Sequence, residues 1–133
     1  MATVDIPGAF IQTYQQDTVF VNLTGVMVRL LLKINPGKYN NHIRWFRGEV
    51  VLYVILKKAL HGTLLGAMLF WKKLAKFIVE KMGFKINPYD WCVENKIMSR
   101  KQCTILWHVY DLKISHEEDS LISDIITKLY NFF

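Results

Sequence analysis

Cysteine is scarce: two in 133 residues cannot staple a secreted mini-protein, so the expected setting is a reducing, intracellular one. The opening Met1-Ala-Thr-Val-Asp5 has neither a basic leader nor an apolar stretch, so no secretory signal is read there. No apolar run approaches the roughly 20 residues that a spanning helix needs. Val50–Leu56 stops at Lys57-Lys58 and Leu64–Trp71 stops at Lys72-Lys73, so both are expected to be core elements, with no membrane partner. Internal repeats, low-complexity runs and Ser/Gly linkers are missing too, so no domain boundary is placed.

Acids are the other shortage. Eleven Asp and Glu face seventeen Lys and Arg, giving a net charge of +6 and a pI near 9.4. Residues 29–108 hold fifteen bases and only Glu49, Glu80, Asp90 and Glu94, whereas residues 1–28 and 109–133 are net acidic. A basic middle between acidic ends suits a polyanion-binding surface beside acidic site residues, and equally a set of solvated lysines. Apolar residues at 52% and charged ones at 21% supply a packed interior.

The hydrophobic pattern predicts a strand over Ala2–Val4 ending at Asp5, because Pro7-Gly8 breaks it, and another over Val19–Leu23. A helix is expected over Val26–Ile34, stopped by Asn35-Pro36-Gly37, then a basic, aromatic loop from Lys38 to Arg47 and a strand over Val50–Leu56. Leu64–Met82 has helical spacing through Leu64, Met68, Trp71, Leu74, Ala75 and Ile78, with Lys72, Lys73 and Lys76 on a solvated face and Gly83 as the stop. Tyr89–Asn95 and Thr104–Val109 read as paired strands joined at Ser99-Arg100-Lys101, carrying Cys92 and Cys103 as buried thiols. Leu112–Ser115 follows as a strand. Ser115 and Glu118 have capping-box spacing ahead of a last helix striped by Leu121, Ile122, Ile125, Ile126, Leu129 and Tyr130, which leaves Phe132-Phe133 exposed. The expected class is α+β, a largely antiparallel sheet with helices packed on one face.

Asp5 closes the first strand, and Asp111 sits in the tight turn of His108-Val109-Tyr110-Asp111. Carboxylates brought together from separate strand ends suit magnesium, a hard ion that takes oxygen ligands and, in pairs, clamps the oxygens of a phosphoryl transfer. An aspartate at a strand end is also a common turn former. Cys92, Cys103, His108 and His116 match no compact zinc spacing.

The residues around these carboxylates carry a resemblance. Ala2-Thr-Val-Asp5-Ile-Pro-Gly-Ala-Phe10-Ile-Gln resembles the first palm motif of reverse transcriptases, in the version found in copia-type retrotransposons. Lys57-Lys-Ala-Leu-His61-Gly62-Thr-Leu-Leu65 is similar to that family's Lys-Ala-Leu-Tyr-Gly-Leu-Lys-Gln segment. Gly83-Phe84 and Tyr89-Asp90-Trp-Cys-Val93 resemble the stretch before its catalytic hairpin, and His108-Val109-Tyr110-Asp111 stands where the family has Tyr-Val-Asp-Asp. The resemblance implies a palm fold and an RNA-directed DNA polymerase that joins deoxynucleotides to a primer 3′-hydroxyl with Mg²⁺ or Mn²⁺. An RNA template, a DNA primer and a dNTP would be its partners, in a cytoplasmic particle or the nucleus. By the same resemblance residues 1–133 are one partial palm domain, whose fingers, thumb and RNase H would lie in the rest of a polyprotein.

Carried over by position, Asp5 and Asp111 would be the catalytic, metal-holding acids. The Ile6 carbonyl would help hold the nucleotide-bound ion, and Phe10 would be the ring that excludes a ribose 2′-hydroxyl. Three positions depart from the family pattern. Tyr110 replaces its first hairpin aspartate, Leu65 replaces a nucleotide-contacting glutamine, and His61 replaces a tyrosine. A phenol with a pKa near 10 does not substitute for a carboxylate at Mg²⁺. Losing several kcal/mol of metal stabilisation lowers a rate roughly a thousandfold or more, so an impaired copy is expected. A non-catalytic basic nucleic-acid-binding module and a decayed relic stand as the alternatives.

Overall fold

Alternating side chains over Ala2–Asp5, stopped by Pro7-Gly8, form the first strand (β1) in the computed structural model, which describes residues 1–133. In chain order follow β2 (Phe20–Thr24), α1 (Gly25–Ile34), a one-turn α2 (Pro36–Tyr39), β3 (Ile43–Phe46) and β4 (Glu49–Ile55). Then come α3 (Leu64–Glu80), β5 (Lys85–Ile86), β6 (Val93–Met98), β7 (Lys101–His108), β8 (Asp111–Ser115) and α4 (Asp119–Phe132). The class is α+β, as expected. No helix is long and apolar enough to cross a membrane. The chain divides into two compact units, Met1–Tyr14 with Lys58–Phe133, and Gln15–Lys57.

The larger unit is a five-stranded antiparallel sheet in the order β1-β8-β7-β6-β5. Alternation assigns its faces: Val4, Cys103, Ile105, Trp107, Leu112 and Ile114 are buried, whereas Asp5, His108, Asp111 and Lys113 between them are exposed. The buried set forms one core with Leu69, Phe70, Leu74 and Ile78 of α3 and Ile122, Ile125 and Leu129 of α4, so both helices back the same face. Tight two-residue turns fix the register of the β6–β7–β8 meander. At the first of these, Ser99 and Arg100 both have positive φ (47° and 65°), the conformation whose twist matches a hairpin.

Several expectations are corrected in this unit. The buried stripe of α3 is rotated from the expected one: Leu64 (89% exposed) and Met68 lie outside, and Gly66, Leu69, Phe70 and Phe77 lie inside. Lys73 does not belong to the solvated face, because its Nζ donates to the Gln12 carbonyl at 2.8 Å and lies over the rings of Phe132 and Phe133. Burial pushes its pKa down, with Lys58 adding to the effect. Ser115 finishes β8 and makes no capping box; α4 starts after Glu118, whose backbone N–H donates to His116 Nδ1. Phe132 stacks on Phe77 at 4.0 Å yet stays exposed, as expected, whereas Phe133 packs against Phe70 and the core rather than being left free. Tyr89–Cys92 is loop rather than strand, and Cys92 is only half-buried, while Cys103 on β7 is buried, which pushes its thiol pKa up.

The smaller unit is a three-stranded antiparallel sheet, β2-β4-β3, with α1 against β4. Ile43–Phe46, expected within a loop, is a strand that pairs with β4 through Ile43↔Leu52 and Trp45↔Val50. Arg47 and Gly48, both at positive φ, close that hairpin.

Candidate functional site

Two local devices hold the segment after β1. Gly8 has φ +62°, which lets the chain reverse directly after Pro7, and Phe10–Gln12 then winds one 3₁₀ turn, sealed by Thr13 Oγ1 donating to the Phe10 carbonyl at 2.8 Å. The start of α3 is pressed against this turn. Thr63 Oγ1 caps the helix by accepting from the Gly66 N–H at 3.0 Å and donates to the Leu60 carbonyl at 2.7 Å. A Cβ on Gly66 would lie 2.6 Å from the Leu60 carbonyl oxygen and 3.2 Å from the Phe10 ring, so only glycine permits this approach.

These devices, with the β7–β8 hairpin, enclose a concavity of about 240 Å³ lined chiefly by Asp5, Ile6, Phe10, His61 and Tyr110. Three of its rings touch edge to face or tilted: Phe10–His61 at 4.9 Å, Phe10–Tyr110 at 6.2 Å and His61–Tyr110 at 6.0 Å between centroids. Phe10 also meets Phe70 and is 5% exposed, so it anchors the pocket to the core while lining it.

Asp5 is the register partner of Asp111, and Asp111 that of His108, so the three occupy one row across β1, β8 and β7. Directly paired residues project to the same face with Cβ atoms about 5 Å apart, here the face away from α3 and α4. Neither carboxylate has an ion-pair or hydrogen-bond partner, leaving both free to accept a ligand. The turn beside them is strained: Val109, a β-branched residue, has φ +58°.

Of the residues picked from the sequence, Asp5, Ile6, Phe10 and Tyr110 therefore meet at one concavity, with Asp111 next to Asp5 on the sheet row. Leu65 is not among them; it lies on the first turn of α3, packed against the core. His108 is given no role by the sequence, and its place beside Asp111 follows from a register that a two-residue turn fixes. His61 enters the pocket through its ring contacts with Phe10 and Tyr110, which no linear spacing reveals.

A hard divalent ion fits this donor set only in part. Two paired carboxylates would hold one ion, but Tyr110, the neighbouring side chain of the hairpin, contributes a ring and a neutral phenol rather than a further carboxylate. The chain matches no protein-family model, no curated protein and no solved structure.

Proposed function

We propose that the chain is a palm fragment of a copia-type reverse transcriptase whose nucleotidyl-transfer centre is impaired. The observation that carries the proposal is the Asp5↔Asp111 register, which puts two carboxylates at one sheet end, beside the concavity that holds Ile6, Phe10 and Tyr110. These are the positions that the resemblance assigns to the metal acids, the nucleotide-side carbonyl, the sugar gate and the altered hairpin residue. A bound Mg²⁺ or Mn²⁺ would supply Lewis-acid neutralisation of developing charge. Asp5 and Asp111 would hold it, and Phe10 would fill the space of a ribose 2′-hydroxyl on a dNTP. Tyr110 would leave the centre one carboxylate short, and the template–primer would need the family's remaining domains for grip.

Tyr110→Asp is expected to tighten Mn²⁺ binding roughly tenfold or more, read by water-proton relaxation of the full chain, because it restores a carboxylate beside Asp5. Asp5→Asn in the same background should remove that gain. Equal Mn²⁺ affinity in parent and Tyr110→Asp would refute the placement of the metal centre.

A further inference from the structure

A second concavity, larger than the one at Asp5, lies away from it. It spans the β5–β6 edge, encloses about 640 Å³, and is lined by Lys85, Asn87, Tyr89, Asn95, Lys96 and Ile97 among others. That volume falls in the range of small-molecule sites, about 300–1,000 Å³.

Its chemistry is one-sided. Asn95 Oδ1 already accepts from Gln102 Nε2 at 2.9 Å and from Thr104 Oγ1 at 2.8 Å, so the amide is fixed with its NH₂ unspent. Asn87 Oδ1 likewise accepts from the Tyr89 backbone N–H at 2.9 Å, which holds a second amide in place with its NH₂ free to donate. Lys85 carries an exposed ammonium with no acidic partner, and Lys96 adds a second positive charge although its Nζ also donates to the Met82 carbonyl. No acid lines the groove; Asp90, next to Tyr89, turns its carboxylate onto the Cys92 N–H. Tyr89 is 96% exposed, a free aromatic face beside these donors. A ligand that satisfies the groove must be rich in acceptors, carry negative charge and present a flat ring. A nucleotide has all three properties: its phosphate takes the lysines and amide donors, and its base stacks on the tyrosine.

We propose that the β5–β6 groove is a nucleotide-binding site, independent of Asp5 and of any metal. The same chemistry is presented by a free nucleotide and by one unit of a single strand. Full-length chain, isotopically labelled and held in EDTA, is titrated by NMR with adenosine monophosphate, with a hexameric deoxyadenylate and with inorganic phosphate. Adenosine monophosphate should shift the amides of residues 85–89 and 95–97 and leave those of residues 5–11 in place. Tyr89→Ala and Lys85→Ala, both exposed positions, should each weaken it about tenfold. The double change Lys72→Ala/Lys76→Ala, which removes two charges elsewhere, should leave affinity within about twofold.

A hexamer that binds more than tenfold tighter than the monophosphate identifies the groove as a strand track; equal affinity identifies a free-nucleotide site. Inorganic phosphate binding as tightly as the monophosphate, an unchanged affinity in Tyr89→Ala, or shifts spread over every lysine face would each overturn the assignment. Since metal is chelated throughout, these results stand apart from the Mn²⁺ test of Asp5 and Asp111.

Discussion

Glu94 offers the sharpest quantitative test of the fold. It sits on the core face of β6, opposite Ile105 of β7 and Ile86 of β5, with 0% of its surface exposed and neither carboxyl oxygen hydrogen-bonded. The other polar groups on that face give it no relief. Cys103 is a buried thiol, Lys96 turns its ammonium onto the Met82 carbonyl, and the Trp107 indole N–H is itself buried and unpartnered. Burial pushes the Glu94 pKa from an ordinary 4.5 up to about 7. Below pH 4.5 the group is neutral in both folded and unfolded chains and contributes no ionisation penalty. As pH rises toward 7 the unfolded chain releases a proton that the folded one retains, so stability falls by about 1.4 kcal/mol per pH unit. Above the folded pKa the loss levels off at about 3 kcal/mol, and the difference between pH 5 and pH 8 is about 2–3 kcal/mol. Glu94→Gln keeps the shape and removes the titration. Urea unfolding of parent and variant at pH 5 and pH 8 should show the variant gaining that same 2–3 kcal/mol on the parent. Parallel pH profiles for the two proteins would refute the reasoning.

Further expectations concern the supports of the site. Gly66→Ala forces a methyl to within van der Waals overlap of the Leu60 carbonyl and should destabilise by about 2–3 kcal/mol while shifting the Phe10 and His61 ring resonances. A loss below about 0.5 kcal/mol with unmoved rings would mean that α3 does not press on the Phe10 turn. Val109→Gly relieves about 1–2 kcal/mol of left-handed strain against about 0.5–1 kcal/mol of added chain entropy, so a net gain of about 0.5–1 kcal/mol is expected in denaturant. Net destabilisation would show that the Val109 side chain, which lines one concavity with Met68, Trp71 and Trp107, contributes more by packing than its backbone costs.

Elements with a strong period or a hard stop were legible in the sequence: β1 before Pro7-Gly8, α1 before Asn35-Pro36-Gly37, α3 before Gly83, and the β6–β7 turn at Ser99-Arg100. Three local outcomes have one cause, which is that tertiary pairing decided between the options. Ile43–Phe46 alternates Arg44 with Trp45 and looks like a basic loop until β4 is present to pair with it. Lys85–Ile86 is too short for any periodicity and becomes a strand only against Glu94 and Asn95. Ser115 could cap a helix but is spent on β8. Within the site, the two acids were visible as strand-end residues and Tyr110 as a departure from the family pattern. Their company was not: the His61 ring contacts and the His108–Asp111–Asp5 row are products of packing and register. The burial of Glu94 is not legible either, because nothing in Val93-Glu94-Asn95-Lys96 says which side of the strand faces inward.

The strand pairing that creates the Asp5–Asp111 row also sets when it can form. β6, β7 and β8 are neighbours in sequence, joined by two-residue turns, and need little loop closure to assemble. β1 is different: Ala2 must find Ile114 from more than a hundred positions away, a contact of high sequence separation. During synthesis β1 leaves the ribosome more than a hundred residues ahead of its partner and waits for it. The meander can stand ready while the carboxylate pair is still open, so the acidic row forms late, and a nick almost anywhere between Asp5 and Asp111 would turn it from an intramolecular encounter into a bimolecular one.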